Sequence, residues 1–359
     1  MKKILFVVPF LSSGGAERVV SIWTSELAKL GYDVHLLVFS RLEREYPLDG
    51  KVNIYSIKEN KKEYDSLSKW KKIIELRRKF REIKPDLVIP FISYVGLMTS
   101  IAKLGLSLEV VETIRNNPST SPSKKLHRWA RNLSVFLAKG CIVQTDEQLE
   151  YFPKWMQGRM ITIANPIADE FTQKEKIFVE KKIENIIAVG RLERQKNFEM
   201  LIRAFSIVAQ KNKDIKLNIY GEGTLYKSLF TYIQELNLEN RILLHGRTNN
   251  ITEALLSSDL FILSSDSEGM PNALMEAMAV GLPCISTDCP TGPSELIKNE
   301  YNGYLIPVGD EEALVNNIIK VINNIDETVR IGQRARKEIV NKYAARESAK
   351  KLNTFIESI

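Results

Sequence analysis

Short apolar runs alternate with amphipathic stretches along the whole chain. In the first half the runs 4–10, 34–39, 87–92, 109–114, 141–144 and 160–164 read as strands. In the second half 185–189, 215–220, 241–245, 259–264, 283–287 and 303–307 do the same. Such runs lack polar alternation and are separated by helical stripes, which predicts parallel sheets buried under helices on both faces. Two successive sets predict two doubly wound, Rossmann-like α/β domains, and 359 residues are enough for two cores. The expected division is 1–170 and 180–340, with the polar stretch from Phe171 to Glu184 as the connection. A long charged helix is expected over about 329–358. There is no short internal repeat and no low-complexity tract.

The stretch 264–297 is the most informative. Leu260-Phe261-Ile262-Leu263 reads as a buried strand, Ser264, Ser265, Ser267 and Gly269 break it into a loop, and Pro271 suits the first position of a helix because its missing N–H costs nothing there. Leu274, Ala277 and Met278 give that helix its stripe, and Gly281 ends it. A short loop feeding a helix N-terminus favours an anion. Glu268 and Glu276 are eight residues apart, roughly 12 Å at helical rise, so they suit two parts of one extended ligand. A carboxylate accepts hydroxyls and repels phosphate, so Glu276 suits a sugar.

Two further strand ends carry candidate chemistry. Ser12-Ser13-Gly14-Gly15-Ala16-Glu17 follows the first strand and precedes a helix with Val19, Ile22, Trp23, Leu27 and Leu30 on one face. Glycines there let backbone approach a phosphate, although a lone Gly14-Gly15 pair reads first as a structural turn and only second as a ligand loop. The dinucleotide pattern G-x-G-x-x-G is absent, which argues against a nicotinamide enzyme. Gly190-Arg191-Leu192-Glu193-Arg194-Gln195-Lys196-Asn197 opens the second domain, and Arg191 with Lys196 at a strand end can neutralise a diphosphate without a metal. Arg115-Asn116-Asn117-Pro118 follows another strand, where open α/β sheets place ligands.

The sequence Glu268-Gly-Met-Pro-Asn-Ala-Leu-Met-Glu276, continued by Gly281-Leu282-Pro283 and Gly292-Pro293-Ser294-Glu295, resembles the E-x7-E motif of family-4 glycosyltransferases. Gly190-Arg191-Leu192 with Lys196-Asn197 is similar to that family's diphosphate-binding motif, and Tyr220-Gly221-Glu222-Gly223 and Leu244-His245-Gly246-Arg247 resemble two further stations, the second at the nucleotide base. The resemblance implies a GT-B fold, with two doubly wound domains facing a central cleft. It implies an acceptor domain first and a sugar-nucleotide domain second, with the C-terminal helix, about 340–359, packing back on the first. It also implies retention of anomeric configuration, with no metal and no cofactor. Arg191 and Lys196 would hold the leaving diphosphate, Glu276 the ribose hydroxyls, and Glu268 the donor sugar. The amides of Gly269, Met270, Pro271, Asn272, Ala273 and Leu274 form the helix start against sugar and phosphate (Pro271 contributing backbone shape alone), with Gly14, Gly15, Gly190, Gly246 and Arg247 completing the donor site. Many family members have a histidine near Arg115; this chain has only His35, His127 and His245, so Arg115 or Asn116 is the candidate for that role.

Charge adds the acceptor. Residues 1–170 hold 27 Lys and Arg against 19 Asp and Glu, so the remainder carries −1 of the total +7. A basic first half faces something anionic. Residues 69–84 carry eight basic and two acidic side chains, and Leu67, Trp70, Ile73, Ile74 and Phe80 share one face, the pattern of an interfacial helix or of an ordinary packed one. A second cationic stretch, Arg115 to Lys139, has Trp129 among its Lys and Arg. These point to a glycan acceptor on a polyprenyl diphosphate, met by Lys69, Lys72, Arg115 and Asn116, at the inner membrane surface of the cytoplasm. The donor is read as UDP-linked, with hexosyl or N-acetylhexosaminyl transfer the expected reaction. No run reaches the length of a membrane span. Three cysteines make no framework and indicate a reducing compartment. Nucleic acid is disfavoured, because the aromatics are not interleaved as stacking platforms. Three alternatives are an epimerase-like or phosphorylase enzyme of the same fold, a metal-dependent transferase using Asp266-Ser267-Glu268, and a sugar-nucleotide-binding scaffold.

Overall fold

Both sets of apolar runs become parallel sheets in the structure, a computed structural model that describes residues 2–12, 14–42, 46–178 and 182–359. Ser13 of the glycine loop and 179–181 of the expected connection lie outside the described residues.

The chain forms two compact units, Met1–Pro166 with Ala345–Ile359, and Ile167–Ala344. The first unit contains β1 (Lys3–Val8), β2 (Asp33–Ser40), β3 (Asn53–Lys58), β4 (Leu87–Pro90), β5 (Glu109–Thr113), β6 (Gly140–Val143) and β7 (Met160–Thr162). Their order is β3-β2-β1-β4-β5-β6-β7, all parallel. Alternate residues of β1 face opposite layers. Ile4, Phe6 and Val8 pack with Val19, Trp23 and Leu27 of the helix Gly15–Lys29 and with Leu352 and Ile356 of the helix Ala345–Ser358. Leu5 and Val7 pack with Leu76, Phe80 and Ile83 of the helix Lys69–Ile83. The C-terminal helix is locked in this unit by a hydrogen bond from Trp23 Nε1 to Ser348 Oγ (2.9 Å) and one from Lys2 Nζ to the Ile356 carbonyl (2.9 Å).

The second unit contains β8 (Asn185–Val189), β9 (Lys216–Tyr220), β10 (Ile242–Gly246), β11 (Leu260–Leu263), β12 (Cys284–Thr287) and β13 (Tyr304–Ile306). The order β10-β9-β8-β11-β12-β13 repeats the doubly wound scheme. In each sheet the strand order reverses beside the first strand, between β1 and β4 and between β8 and β11. The carboxyl ends of those pairs are where such sheets leave a crevice for ligands.

Two expectations need correction. The strand β3 is absent from the apolar-run reading, because Asn-Ile-Tyr-Ser-Ile-Lys lies at a sheet edge and stays largely polar and half-exposed. The single helix over about 329–358 is two helices, Ile325–Tyr343 and Ala345–Ser358. Ala344 is extended (φ −54°, ψ 146°), Ile167 N–H donates to the Tyr343 carbonyl (2.8 Å), and the chain passes from the second unit to the first at that break. Charge periodicity continues across Ala344, so the sequence carries no sign of it.

Candidate sugar-nucleotide site

The loop after β8 and the loop after β11 meet at the crevice of the second unit. Gly190 has no side chain, and the Lys196 stem lies across it: a Cβ there would be 3.0 Å from Lys196 Cε. The Lys196 ammonium then reaches Glu268 Oε1 at 2.5 Å, with the two side chains 16% and 9% exposed. Ser265 Oγ donates to the same carboxylate oxygen at 2.6 Å. The loops are stitched together around this pair. Asp266 N–H donates to the Gln195 carbonyl (2.8 Å), Ser264 Oγ to the Lys196 carbonyl (2.8 Å), and Asn197 Nδ2 to Asp266 Oδ1 (2.8 Å). A largely buried ion pair of this kind fixes geometry, and removing one partner strands the other charge.

Tyr220-Gly221-Glu222-Gly223 works as a brace. Gly221 has φ +144°, and a Cβ on it would sit 1.8 Å from the Gly190 carbonyl oxygen. A Cβ on Gly223 would sit 2.3 Å from the Leu192 carbonyl oxygen. Gly190 N–H donates to the Tyr220 carbonyl and Leu192 N–H to the Glu222 carbonyl, both at 2.9 Å. Beyond it the His245 ring stacks on Tyr220 (centroids 4.5 Å, planes 8° apart) and its Nε2 contacts Asn218 Oδ1 at 2.8 Å. Partial burial there holds the His245 imidazole below its ordinary pKa. Gly246 takes φ +69° and its carbonyl accepts the Gly221 N–H (2.8 Å), while Arg247 is exposed.

The helix after β11 runs Asn272–Ala279, with Pro271 at its N-cap (φ −76°, ψ 99°), one position earlier in role than expected. Gly269, Met270 and Pro271 are buried, Asn272 and Ala273 half-buried, and Leu274 is in the core. Glu276 is 6% exposed on this helix. Arg191 is exposed at the end of β8.

Hydroxyls that carry no signal in the sequence complete the arrangement. Thr291 has φ +66°, rare for a β-branched residue, and its Oγ1 donates to the Glu268 carbonyl at 2.5 Å. Its neighbour Gly292 (φ +97°) closes on Gly269: a Cβ there would lie 2.4 Å from the Gly269 carbonyl oxygen. Ser265 and Thr291 hold Glu268 from both ends. No spacing rule marks them; the Gly292-Pro293 pair beside Thr291 was the nearest available clue.

Residues 13–171 match the family model "Glycosyltransferase Family 4", and residues 169–338 match "Glycosyl transferases group 1". The chain is a glycosyltransferase of the family-4 type. This transferase is 28% identical to an alpha-1,4-N-acetyl-D-galactosaminyltransferase of Campylobacter jejuni named for a PP-undecaprenol-linked glycan, over 95% of this chain and 92% of that one. It is also 28% identical to the Escherichia coli UDP-Gal:alpha-D-GlcNAc-diphosphoundecaprenol alpha-1,3-galactosyltransferase, over 93% and 91%. Among solved structures, Anabaena HepE in complex with UDP-glucose superposes with a TM-score of 0.81 at 19% identity, with both chains fully covered. The transferase therefore has the two-domain GT-B fold.

In the first unit of the transferase, Gly14 is the N-cap of the helix Gly15–Lys29. The Glu17 carboxylate folds back over it, so a Cβ on Gly14 would lie 1.9 Å from Glu17 Oε2. Arg115 turns inward. Its guanidinium lies over the rings of Trp23 (5.2 Å) and Phe91 (5.1 Å), and Nη2 donates to Asn165 Oδ1. Nε and Nη1 are buried with no hydrogen-bond partner, and burial lowers the guanidinium pKa to about 9. Asn116 beside it is exposed. Lys69 is exposed at a helix start, and Lys72 covers the Tyr64 ring at 4.3 Å. On that helix Leu76, Phe80 and Ile83 are buried, whereas Trp70 and Ile74 are exposed. Among the described residues no group of three or more His, Cys, Asp or Glu is placed to hold a metal. The carboxylates of Asp266 and Glu268 have separate partners, Asn197 and Lys196.

Proposed function

We propose that the transferase moves a hexose or N-acetylhexosamine from a UDP-sugar to a polyprenyl-diphosphate-linked glycan, with retention of configuration. The observation that carries this reading is the Lys196–Glu268 pair at the carboxyl ends of β8 and β11, with Arg191 exposed beside it. In this reading Arg191 and Lys196 take the charge that develops on the leaving diphosphate. Lys196 then bridges between phosphate and Glu268, whose position Ser265 and Thr291 hold. Glu276 accepts the ribose hydroxyls, and the backbone at the start of the helix Asn272–Ala279 faces phosphate or sugar oxygens. The acceptor hydroxyl attacks the face from which the diphosphate departs, and a phosphate oxygen takes its proton. Such catalysis is positioning plus charge stabilisation. Arg115, covered by Trp23 and Phe91, suits a positioning role; the exposed Asn116 and Lys69 are better placed to meet an acceptor. The lipid anchor of the acceptor puts the enzyme at the inner membrane surface. The names of the Campylobacter and Escherichia relatives support lipid-diphosphate acceptors, and UDP in the Anabaena complex agrees with a UDP donor.

The test is a panel of UDP- and GDP-sugars followed by thermal shift, since a ligand that binds only the folded state raises the melting temperature. One UDP-sugar should raise it well above the rest. That donor, incubated with a synthetic polyprenyl-diphosphate glycan, should give a product with the anomeric configuration of the donor. An inverted product, or no stabilisation by any sugar nucleotide, would refute the proposal.

A further inference from the structure

The helix Lys125–Leu137 of the first unit carries an apolar stripe on its outer side. Leu126, Trp129, Leu133, Phe136 and Leu137 are all exposed, Leu126 by 72% and Trp129 by 64%. Their spacing puts them within one sector of the helix, about 16 Å long. Trp155, 65% exposed on the neighbouring helix Lys154–Gln157, meets Phe136 edge-on with centroids 5.8 Å apart and extends the stripe.

The stripe is not needed to hold the helix in place. The opposite side does that: Val135 and Ser134 are buried, and Arg131 Nη1 donates to the carbonyls of Pro118 (2.8 Å) and Ser121 (2.5 Å). Arg128 Nη1 likewise donates to the carbonyls of Pro122 (2.8 Å) and Ser123 (2.7 Å). A contiguous exposed patch of large apolar side chains marks an interaction site.

Charge chooses the partner. No Asp or Glu occurs between residues 113 and 145, while Lys124, Lys125 and Lys139 flank the stripe and are exposed, as is Lys154 beside Trp155. Two copies of this face brought together by a two-fold axis would oppose like charges. Leucines and aromatic rings centred on a face, with lysines around them, match the boundary of an anionic bilayer: rings at headgroup depth, ammonium groups reaching the phosphates. The helix Lys69–Ile83 is the weaker candidate. Its apolar exposure is limited to Trp70 and Ile74, and its cations are partly engaged, Arg78 with Glu75 and Lys79 with Glu82.

We propose that the outer face of the helix Lys125–Leu137, together with Trp155, docks the transferase on an anionic lipid surface by inserting its apolar stripe at headgroup depth. The proposal deepens the membrane-bound part of the function above and rests on that reading only for the lipid identity of the partner.

Flotation of the full chain with vesicles tests it. Vesicles of phosphatidylcholine with phosphatidylglycerol, containing no glycolipid acceptor, are compared with phosphatidylcholine alone. The wild type should float with the anionic vesicles, less so as salt is raised. Trp129→Ser/Phe136→Ser should reduce the bound fraction at least about tenfold. Lys124→Glu/Lys125→Glu should weaken it comparably, since acidic residues at a helix start do not harm the helix. Trp70→Ser/Ile74→Ser should change it less than about twofold, because that pair lies outside the stripe. The UDP-induced thermal shift is measured on every protein. Vesicle binding lost with that shift intact assigns the loss to the docking face, whereas no shift in the wild type counts against the transferase site instead. The proposal falls if the wild type stays in solution beside anionic vesicles at low salt, or if the Trp129/Phe136 variant binds like wild type. It also falls if light scattering shows a wild-type dimer that this variant converts to monomer.

Discussion

Glu112 is buried beneath Gly96, where a Cβ on the glycine would lie 2.1 Å from Glu112 Oε2. Its Oε1 has no hydrogen-bond partner. Desolvation raises its pKa from 4.5 to about 8, against smaller opposing effects of Ser134 and Lys103. The fold thus prefers the protonated acid, so its contribution to stability is full below 4.5 and is lost as pH rises through about 8. Urea denaturation at several pH values should show wild-type stability falling by a few kcal/mol between mildly acidic and mildly basic conditions. Glu112→Gln, neutral throughout, should flatten that slope; an unchanged slope would mean that Glu112 is ionised in the fold. At this scale the sequence is partly legible. Lys196 and Glu268 each stand out by motif, but their pairing spans 72 positions in the chain and depends on Gly190 leaving room for the lysine stem. The inward turn of Arg115 is set by Trp23 and Phe91, which come from other elements, and no local pattern reports it.

At the scale of elements, the site is two strand ends held by backbone. The glycine-rich turn after β9 presses on the turn after β8 so closely that only hydrogen fits at Gly221. Gly221→Ala should therefore cost at least about 2 kcal/mol of stability, through both the clash and the positive φ. The same substitution should weaken UDP-sugar binding, because the backbone it displaces carries Arg191. Denaturation and titration of the same variant check both effects; an unperturbed variant would remove the brace from the description. Buried strands were legible because they read as continuous apolar runs. The edge strand β3 was not, since an edge needs burial on one side only and keeps polar residues. Nor was the break at Ala344, where passage between units, and no Gly or Pro, stops the helix.

At the scale of the whole molecule, one wiring scheme is used twice, and in the second unit the order reversal between β8 and β11 brings the two charged loops together. The double set of apolar runs made that scheme readable from sequence, and the motif spacing placed Arg191, Lys196, Glu268 and Glu276 near one end of one sheet. How the loops interlock, and which hydroxyls secure them, depends on long-range contacts. Since Lys196 is largely buried against Glu268, its removal disturbs the fold as well as the ligand; Arg191 is exposed and carries no such ambiguity. Isothermal titration of UDP into wild type and Arg191→Ala, at matched melting temperatures, is accordingly the sharpest test of diphosphate recognition in the second unit. The variant should bind at least about tenfold more weakly, the worth of one charge-assisted contact. Equal affinity in the two proteins would contradict it.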